Sequence, residues 1–240
     1  MEKTYRLRFY LSAPVVLDNP IHLDGVLAAV HPSMHNQETV ITRFDNGNNI
    51  VTVPLPLSSF RADGNWVWAC TAGEFPNMAK FGSDSLTKRR NPQDYFAAQR
   101  TFMPGSNAMK DKFITFQVVQ TPYIDFLAIS NDPPELYRLA KRVRAIGGKR
   151  KSGWGEVRNC TIIEEPCHPK EILILDNCAR RRLPKEFLYW AESMTPMQCR
   201  SPYWHPKMVE DGAEVGTQIV LNREITISRK RGESRAIFSN

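Results

Sequence analysis

Residues 5–12 alternate Tyr5, Leu7, Phe9 and Leu11 with Arg6, Arg8, Tyr10 and Ser12. This period-two pattern predicts a strand with one face on a core and a basic, aromatic face opposite. Asp18 or Asn19 is placed to cap a helix with Pro20 in its first turn, and Leu23, Val26, Leu27 and Val30 recur at helical spacing until Pro32. Residues 39–44 and 50–53 flank Asp45, Asn46 and Gly47, a hairpin signal, and 66–71 read as a further strand. Residues 113–120 and 123–130 are rich in Phe, Ile and Val around Thr121 and Pro122, which predicts two more strands. A second helix follows, with Asp132 as its cap, Pro133 and Pro134 in its first turn, and Leu136, Leu139, Ala140 and Val143 in one stripe. Gly147 and Gly148 are expected to end it, and 157–164 read as a closing strand.

The order strand, helix, strands, helix, strand predicts an α+β fold with a ferredoxin-like (RRM-like) βαββαβ core, an antiparallel sheet carrying both helices on one face. Residues 1–165 would form this core. Between 73 and 112 the pattern breaks at Pro76, Gly82, Pro92, Pro104 and Gly105, in a segment bearing Lys88, Arg89, Arg90, Tyr95, Phe96, Arg100 and Phe102. A stretch this long inside a compact domain reads as a binding excursion or as partial disorder. Residues 166–240 read as an irregular, β-containing C-terminal extension or a reduced second subdomain. There 172–175 and 218–227 look extended, and 185–193 suit a short helix.

At 240 residues and 42% hydrophobic, the chain is long enough to bury roughly 70 to 75% of its unfolded surface, which excludes full disorder. No apolar run approaches the roughly 18 residues of a spanning helix, so a cytoplasmic protein without membrane contact is expected. Thirty-two Lys and Arg against 25 Asp and Glu give +7, which favours a polyanionic partner without requiring one. The five cysteines, Cys70, Cys160, Cys167, Cys178 and Cys199, have no CxxC pair and suit reduced thiols acting as small hydrophobes. A metal site drawing on Cys160, Cys167, His168, Cys178, Cys199 and His205 is disfavoured, because only Cys167 and His168 are close in sequence. No cofactor is expected.

The most informative element is Gly147-Gly148-Lys149-Arg150-Lys151-Ser152-Gly153-Trp154-Gly155, with four glycines and three cations in nine positions. Glycine accepts positive φ and admits a second backbone to contact distance, and the cations suit that approach to phosphate. Neither a Walker loop nor a GxGxxG turn is present, so mononucleotide chemistry is disfavoured. From Arg138 to Arg158 the chain carries eight basic residues, including Lys141, Arg142 and Arg144, and a single acidic one, Glu156. A charge run of this kind is often a solvated helix face; here the glycines and Trp154 shift the balance toward nucleic acid. Trp154 itself could stack a base, but pinning the loop to the core is the preferred reading.

With the opening strand and the first helix, Ile21-His22-Leu23-Asp24-Gly25-Val26-Leu27-Ala28, this loop resembles the RAMP superfamily of CRISPR-associated proteins. The likeness covers about the first 165 residues. The style of the first helix is most similar to the guide-capping subunit of type IV effector complexes. Ala145 stands where the family often has a further glycine. The resemblance implies a noncatalytic subunit that grips the 5′ handle of a guide RNA and abuts backbone and large subunits, in a complex directed at target nucleic acid. The inserted segment would then be a thumb beside the first guide nucleotides. The residues expected to meet RNA are Arg6, Arg8, Lys88, Arg89, Arg90, Arg100, Phe102, Arg138, Lys141, Arg142 and the loop Gly147, Gly148, Lys149, Arg150, Lys151, Ser152, Gly153, Trp154 and Gly155. Arg180, Arg181, Arg182, Arg200, Lys207, Arg229, Lys230 and Arg231 are candidate phosphate contacts of the tail, target DNA being one partner they would suit.

Some relatives in that superfamily cut repeat RNA without metal, so the alternative is an endoribonuclease using His22, His31 or His35 as general acid or base. No spacing ties these histidines to Lys or Tyr partners, and solvent-facing or capping roles are the preferred reading. No catalytic residue is therefore assigned.

Overall fold

The computed structural model describes residues 3–32, 53–88, 112–130, 132–203, 205–228 and 234–236. In chain order these form β1 (Lys3–Leu11), β2 (Val15–Val16), α1 (Leu23–Ala28), β3 (Ser59–Ala62), β4 (Asn65–Trp68), β5 (Lys80–Lys88), β6 (Lys112–Gln120), β7 (Tyr123–Ser130), α2 (Pro133–Ala140) and β8 (Val157–Glu164). The C-terminal part adds β9 (Ile174–Leu175), β10 (Cys178–Ala179), β11 (Leu183–Pro184), β12 (Leu188–Ala191), β13 (Thr195–Gln198), β14 (Val209–Ala213), β15 (Ile219–Leu221), β16 (Thr226–Ser228) and β17 (Ser234–Ala236). The protein is a mixed structure of mostly small antiparallel sheets with few helices. No described helix is long and apolar enough to cross a membrane.

The sheet that carries the N-terminal core has the order β7-β1-β8, all antiparallel. The alternation read in β1 sets its faces, with Tyr5, Leu7, Phe9 and Leu11 buried and Arg6 and Arg8 partly exposed. On the buried face these side chains meet Phe126 and Cys160 of the flanking strands, Leu23 and Leu27 of α1, and Leu136 and Leu139 of α2. Each fully buried Leu or Phe contributes roughly 1.5 to 3 kcal/mol of transfer free energy, so this layer holds the helices to the sheet. The free edge of β7 is lined by residues 69–74. Thr71 N–H donates to Leu127 O, Ile129 N–H to Ala69 O, and Glu74 and Asp125 exchange both bonds.

A second apolar cluster joins Leu127 and Ile129 of β7 and Phe60, Val67 and Ala69 to Ile172, Leu173, Leu183, Phe187, Ile219 and Ile225. The C-terminal strands therefore pack on the end of β7 and on the β3–β4 hairpin, with β16 pairing directly with β3. Apart from these sheets, β5 and β6 form a nine-residue-long antiparallel ladder whose base is held by β2 through Val15↔Val119 and Val16↔Val118.

Several boundaries differ from the sequence reading. The N-cap of α1 is His22, not Asp18 or Asn19, because 21–23 stay extended against 71–73 through the His22↔Ala72 bridge and the Gly73 N–H to Ile21 O bond. Asp132 does cap α2, accepting from Glu135 N–H, but the helix stops at Ala140 and not at the glycines. Residues 145–148 are used instead in bridges to Glu156 and Val16. The expected helix over 185–193 is a 3-10 turn, Lys185–Phe187, followed by β12, whose Leu-Tyr-Trp run pairs with β15. The stretch 172–175 begins as the end of a 3-10 turn, and 218–227 divides into β15 and β16. The strand predicted over 66–71 ends at Trp68, where the chain turns onto β7. The excursion over 73–112 contains β5, and its partner β6 joins the ladder with β2 and β5 instead of the β1 sheet. The hairpin turn at 45–47 lies outside the described residues.

Candidate nucleic-acid interface

The glycine-rich loop is closed at its base by an Ala145↔Glu156 bridge, an Ile146 N–H to Gly155 O bond of 2.8 Å and a Val157 N–H to Arg144 O bond of 2.9 Å. Its glycines do two jobs. Gly147 sits at φ +88° where a Cβ would come within 2.6 Å of Val15 Cγ1 and Val16 O, and Gly155 at φ +66° would drive a Cβ into Ile146 O. Gly148 N–H and Gly155 N–H donate to Val16 O and Pro14 O, at 2.9 and 2.8 Å. The backbone that Gly147, Gly148 and Gly155 admit is thus the protein's own segment 14–16 and Ile146. Gly153, at φ +86°, faces open space, so only its backbone conformation calls for glycine. Between these anchors Arg150–Ser152 make one 3-10 turn entered through Lys149 in the left-handed region. Trp154 is half-buried and meets Phe116 of β6 edge-to-face, with centroids 5.3 Å apart, tying the loop to the middle of the β5–β6 ladder.

The anchored loop holds its cations outward. Arg142, Arg144, Arg150, Lys151 and Arg158 are exposed and Lys149 is half-buried. None of the six side chains has a hydrogen bond or a salt bridge among the described residues. Ser152 is also exposed. The structure therefore brings Arg142, Arg144, the loop and Arg158 into one stretch of unneutralised positive charge.

Other expected contacts are engaged elsewhere. Arg6 pairs with Glu165 and, at 3.2 Å, with Asp125, while Arg8 makes two bonds of 2.8 and 2.7 Å to Asp125 and lies over the Tyr123 ring. The Arg6 guanidinium holds the Glu165 carboxyl below its ordinary range. Arg138 is bidentate to Glu135 at 2.5 Å, and Lys141 donates to Asn159 Oδ1 at 2.9 Å. Lys88 ends β5, whereas Arg89, Arg90, Arg100 and Phe102 lie outside the described residues, as do Arg229, Lys230 and Arg231. In the tail, Arg180 pairs with Glu74, Arg182 with Glu214, and Arg200 bonds Asn65 and Trp66 O. Lys207 is exposed. Arg181 is fully buried and is not a surface phosphate contact.

Arg181 belongs to a polar junction that the sequence reading missed. Its guanidinium donates to Trp68 O, Cys70 O at 3.1 Å and Cys199 O at 2.9 Å, and approaches the Tyr203 hydroxyl at 3.4 Å. Tyr203 O–H donates to the buried Asp24 at 2.8 Å, and Ser201 N–H donates to the same carboxylate at 3.3 Å. Burial, followed by the Asp24 charge, pushes the Tyr203 phenol well above its ordinary pKa. The available signal was Asp24 itself, a carboxylate inside the apolar stripe of the first helix, which must find a partner when buried. Between this junction and the loop lies a pocket of about 280 Å³ bordered by Asn19, His22, Gly147, Arg150, Arg182 and Tyr203.

His22 stacks on Tyr203 with centroids 4.7 Å apart. Its Nε2 accepts from Arg182 N–H at 3.1 Å, which leaves Nδ1–H to donate to Pro20 O at 3.2 Å. Burial, with Arg181 and Arg182 adding to it, lowers its pKa well below the usual histidine value. Both nitrogens of His22 are thus occupied. His31 is partly exposed beyond α1, and His35 lies outside the described residues. Among the described residues no three His, Cys, Asp or Glu side chains are gathered to hold a metal ion. The cysteines are free, with Cys70, Cys160 and Cys199 buried and Cys167 and Cys178 partly exposed. Burial pushes the Cys160 and Cys199 thiols up to about 12. Compared with known proteins, the chain matches no family model, and no curated protein matches it either.

Proposed function

We propose that this chain is a noncatalytic RNA-binding subunit of a CRISPR ribonucleoprotein, gripping the 5′ handle of a guide RNA with its glycine loop. The observation that carries the reading is the anchored loop with its neighbours Arg142, Arg144 and Arg158, six cations whose side chains form no salt bridge among the described residues. Such a surface binds a polyanion through counterion release and leaves the loop's shape to position the backbone.

The ferredoxin-like part of the reading rests on strand order. With residues 69–74 counted as an edge, the sheet runs β8-β1-β7-(69–74), α1 connects β1 to that edge, and α2 connects β7 to β8. A split βαβ core would have this order, which supports the reading. The β5–β6 ladder lies in sequence between the edge and β7, and in this reading it would serve as the thumb. The occupied nitrogens of His22 favour binding over acid–base chemistry at that residue. Backbone and large subunits and target DNA are partners implied by the same resemblance.

The test is to replace Lys149, Arg150 and Lys151 together with Ala and measure affinity for handle RNA at physiological salt. The expected result is a strong loss of binding, with the melting temperature retained. Unchanged affinity would overturn the reading. Incubating the protein with repeat RNA in chelator separates it from the endoribonuclease alternative, which requires cleavage.

A further inference from the structure

The two edges of the β7-β1-β8 sheet are treated differently. Residues 69–74 cover β7, whereas on the outer side of β8 the described residues pair only at its start, where Val157 N–H donates to Arg144 O. Glu165 N–H donates to Thr4 O directly opposite it, so from Asn159 onward the odd-numbered residues of β8 bond β1 and the even-numbered ones point their backbone outward; a bulge at 157–158 ends this alternation. Cys160 N–H, one of these outward donors, is closed by the adjacent Asn159 Oδ1 at 2.9 Å. Ile162 and Glu164 are the other outward positions, and Arg158 stands in the bulge opposite Leu11. The edge left uncovered after Val157 is a template for another strand.

We propose that β8 is a docking edge for a second copy of this chain, the two β8 strands pairing antiparallel about a twofold axis at Thr161. In that register Arg158 faces Glu164 of the second copy at both ends, Cys160 faces Ile162, and Asn159 faces Ile163. Cys160, Ile162 and Glu164 are outward bonding positions, and the register that faces Cys160 with Ile162 also sets Arg158 against Glu164. The strand is its own electrostatic complement, and this singles out a second copy over an unrelated strand. Ile163, 62% exposed on the opposite face from Cys160, gains cover from Asn159 of its counterpart. Glu164 now bonds Lys3 Nζ at 2.6 Å on the surface, and Arg158 has no partner among the described residues, so both are available to the pairing. This surface shares Arg158 with the cations beside the glycine loop, so the pairing is read in the absence of nucleic acid.

Sedimentation velocity on the full chain, freed of nucleic acid, tests the pairing across micromolar concentrations. Arg158→Glu and Glu164→Arg should each weaken dimerisation by about ten-fold or more, since like charges then face each other at both ends; combining them should restore it to within about three-fold. Concentration-dependent slowing of amide exchange at Ile162 and Glu164 in the unmutated protein is the second readout and needs no variant. A monomer at every concentration, a dimer indifferent to the single reversals, or a dimer without protection at β8 each overturns the proposal. In the first case Arg158, Glu164 and Lys141 are charges that guard the edge.

Discussion

Arg181 and Arg150 stand 31 positions apart in one basic chain and have opposite fates. Arg181 is fully buried, and its donors are spent on carbonyls from β4, the following turn and Cys199. Arg150 protrudes from a loop held by hydrogen bonds to segment 14–16, with no partner of its own among the described residues. Both count equally toward the net charge of +7, but only the second adds to the field a polyanion would meet. The excess charge of this protein is informative only after the cations that staple the C-terminal region to the core, Arg180, Arg181, Arg182 and Arg200, have been set aside.

The largest expected effect breaks the buried half of this comparison. Arg181→Met leaves four carbonyls, of Trp68, Cys70, Arg182 and Cys199, and the Tyr203–Asp24 pair without their central cation, and should cost about 3 to 5 kcal/mol in denaturant unfolding. A loss below about 1 kcal/mol would mean that the junction does not hold the C-terminal region. Next comes the loop's scaffold, where Gly155→Ala forces a Cβ into Ile146 O at positive φ and should cost about 2 to 3 kcal/mol. Gly153→Ala has open space, pays only for its conformation, and should cost about 1 kcal/mol. Equal losses at the two glycines, read from melting curves, would show that the loop is not anchored as described.

The exposed half is sharpened by salt. Replacing Lys149, Arg150 and Lys151 with Ala should change unfolding stability by less than about 0.5 kcal/mol. In RNA binding it should lower the slope of log affinity against log salt by about 2, at about 0.7 per single-strand phosphate contact. An unchanged slope would place the contacts elsewhere.

The smallest effect concerns pH. His22 is held neutral, so its folded pKa lies below the unfolded value near 6.5, and the unfolded chain binds the extra proton as pH falls. Stability from this group is complete above about pH 6.5 and declines below it. The expected result is a melting temperature that drops between pH 7 and 5, with a shallower drop in His22→Gln. Glu165, held down by Arg6, acts in the same direction at lower pH, its contribution being lost as the carboxylate protonates.

Strands β1, β7 and β8 and the cap of α2 were legible because their signals are local: alternation of Leu7 and Phe9 with Arg6 and Arg8, and an Asp132-Pro-Pro start. The short helix α1 and the early end of α2 were not. There, propensity favoured continuing, and bridges to residues far away in sequence, His22 to Ala72 and Val16 to Gly148, decided otherwise. The glycine loop was legible as a special backbone, but its neighbour was not, since spacing says that something approaches closely and not what. The junction of Asp24, Arg181 and Tyr203 was invisible for the same reason, its members lying 157 and 22 residues apart.

By itself the amino-acid order determined which residues alternate, where glycine is concentrated and how much positive charge the chain carries, because these follow from nearest neighbours and composition. Only the tertiary structure decided which cations are neutralised, which glycines admit the chain's own backbone, and which sheet edge is covered. Those outcomes depend on long-range pairing, and there the cost of burying an unpartnered charge or N–H selects among arrangements that local pattern leaves equal.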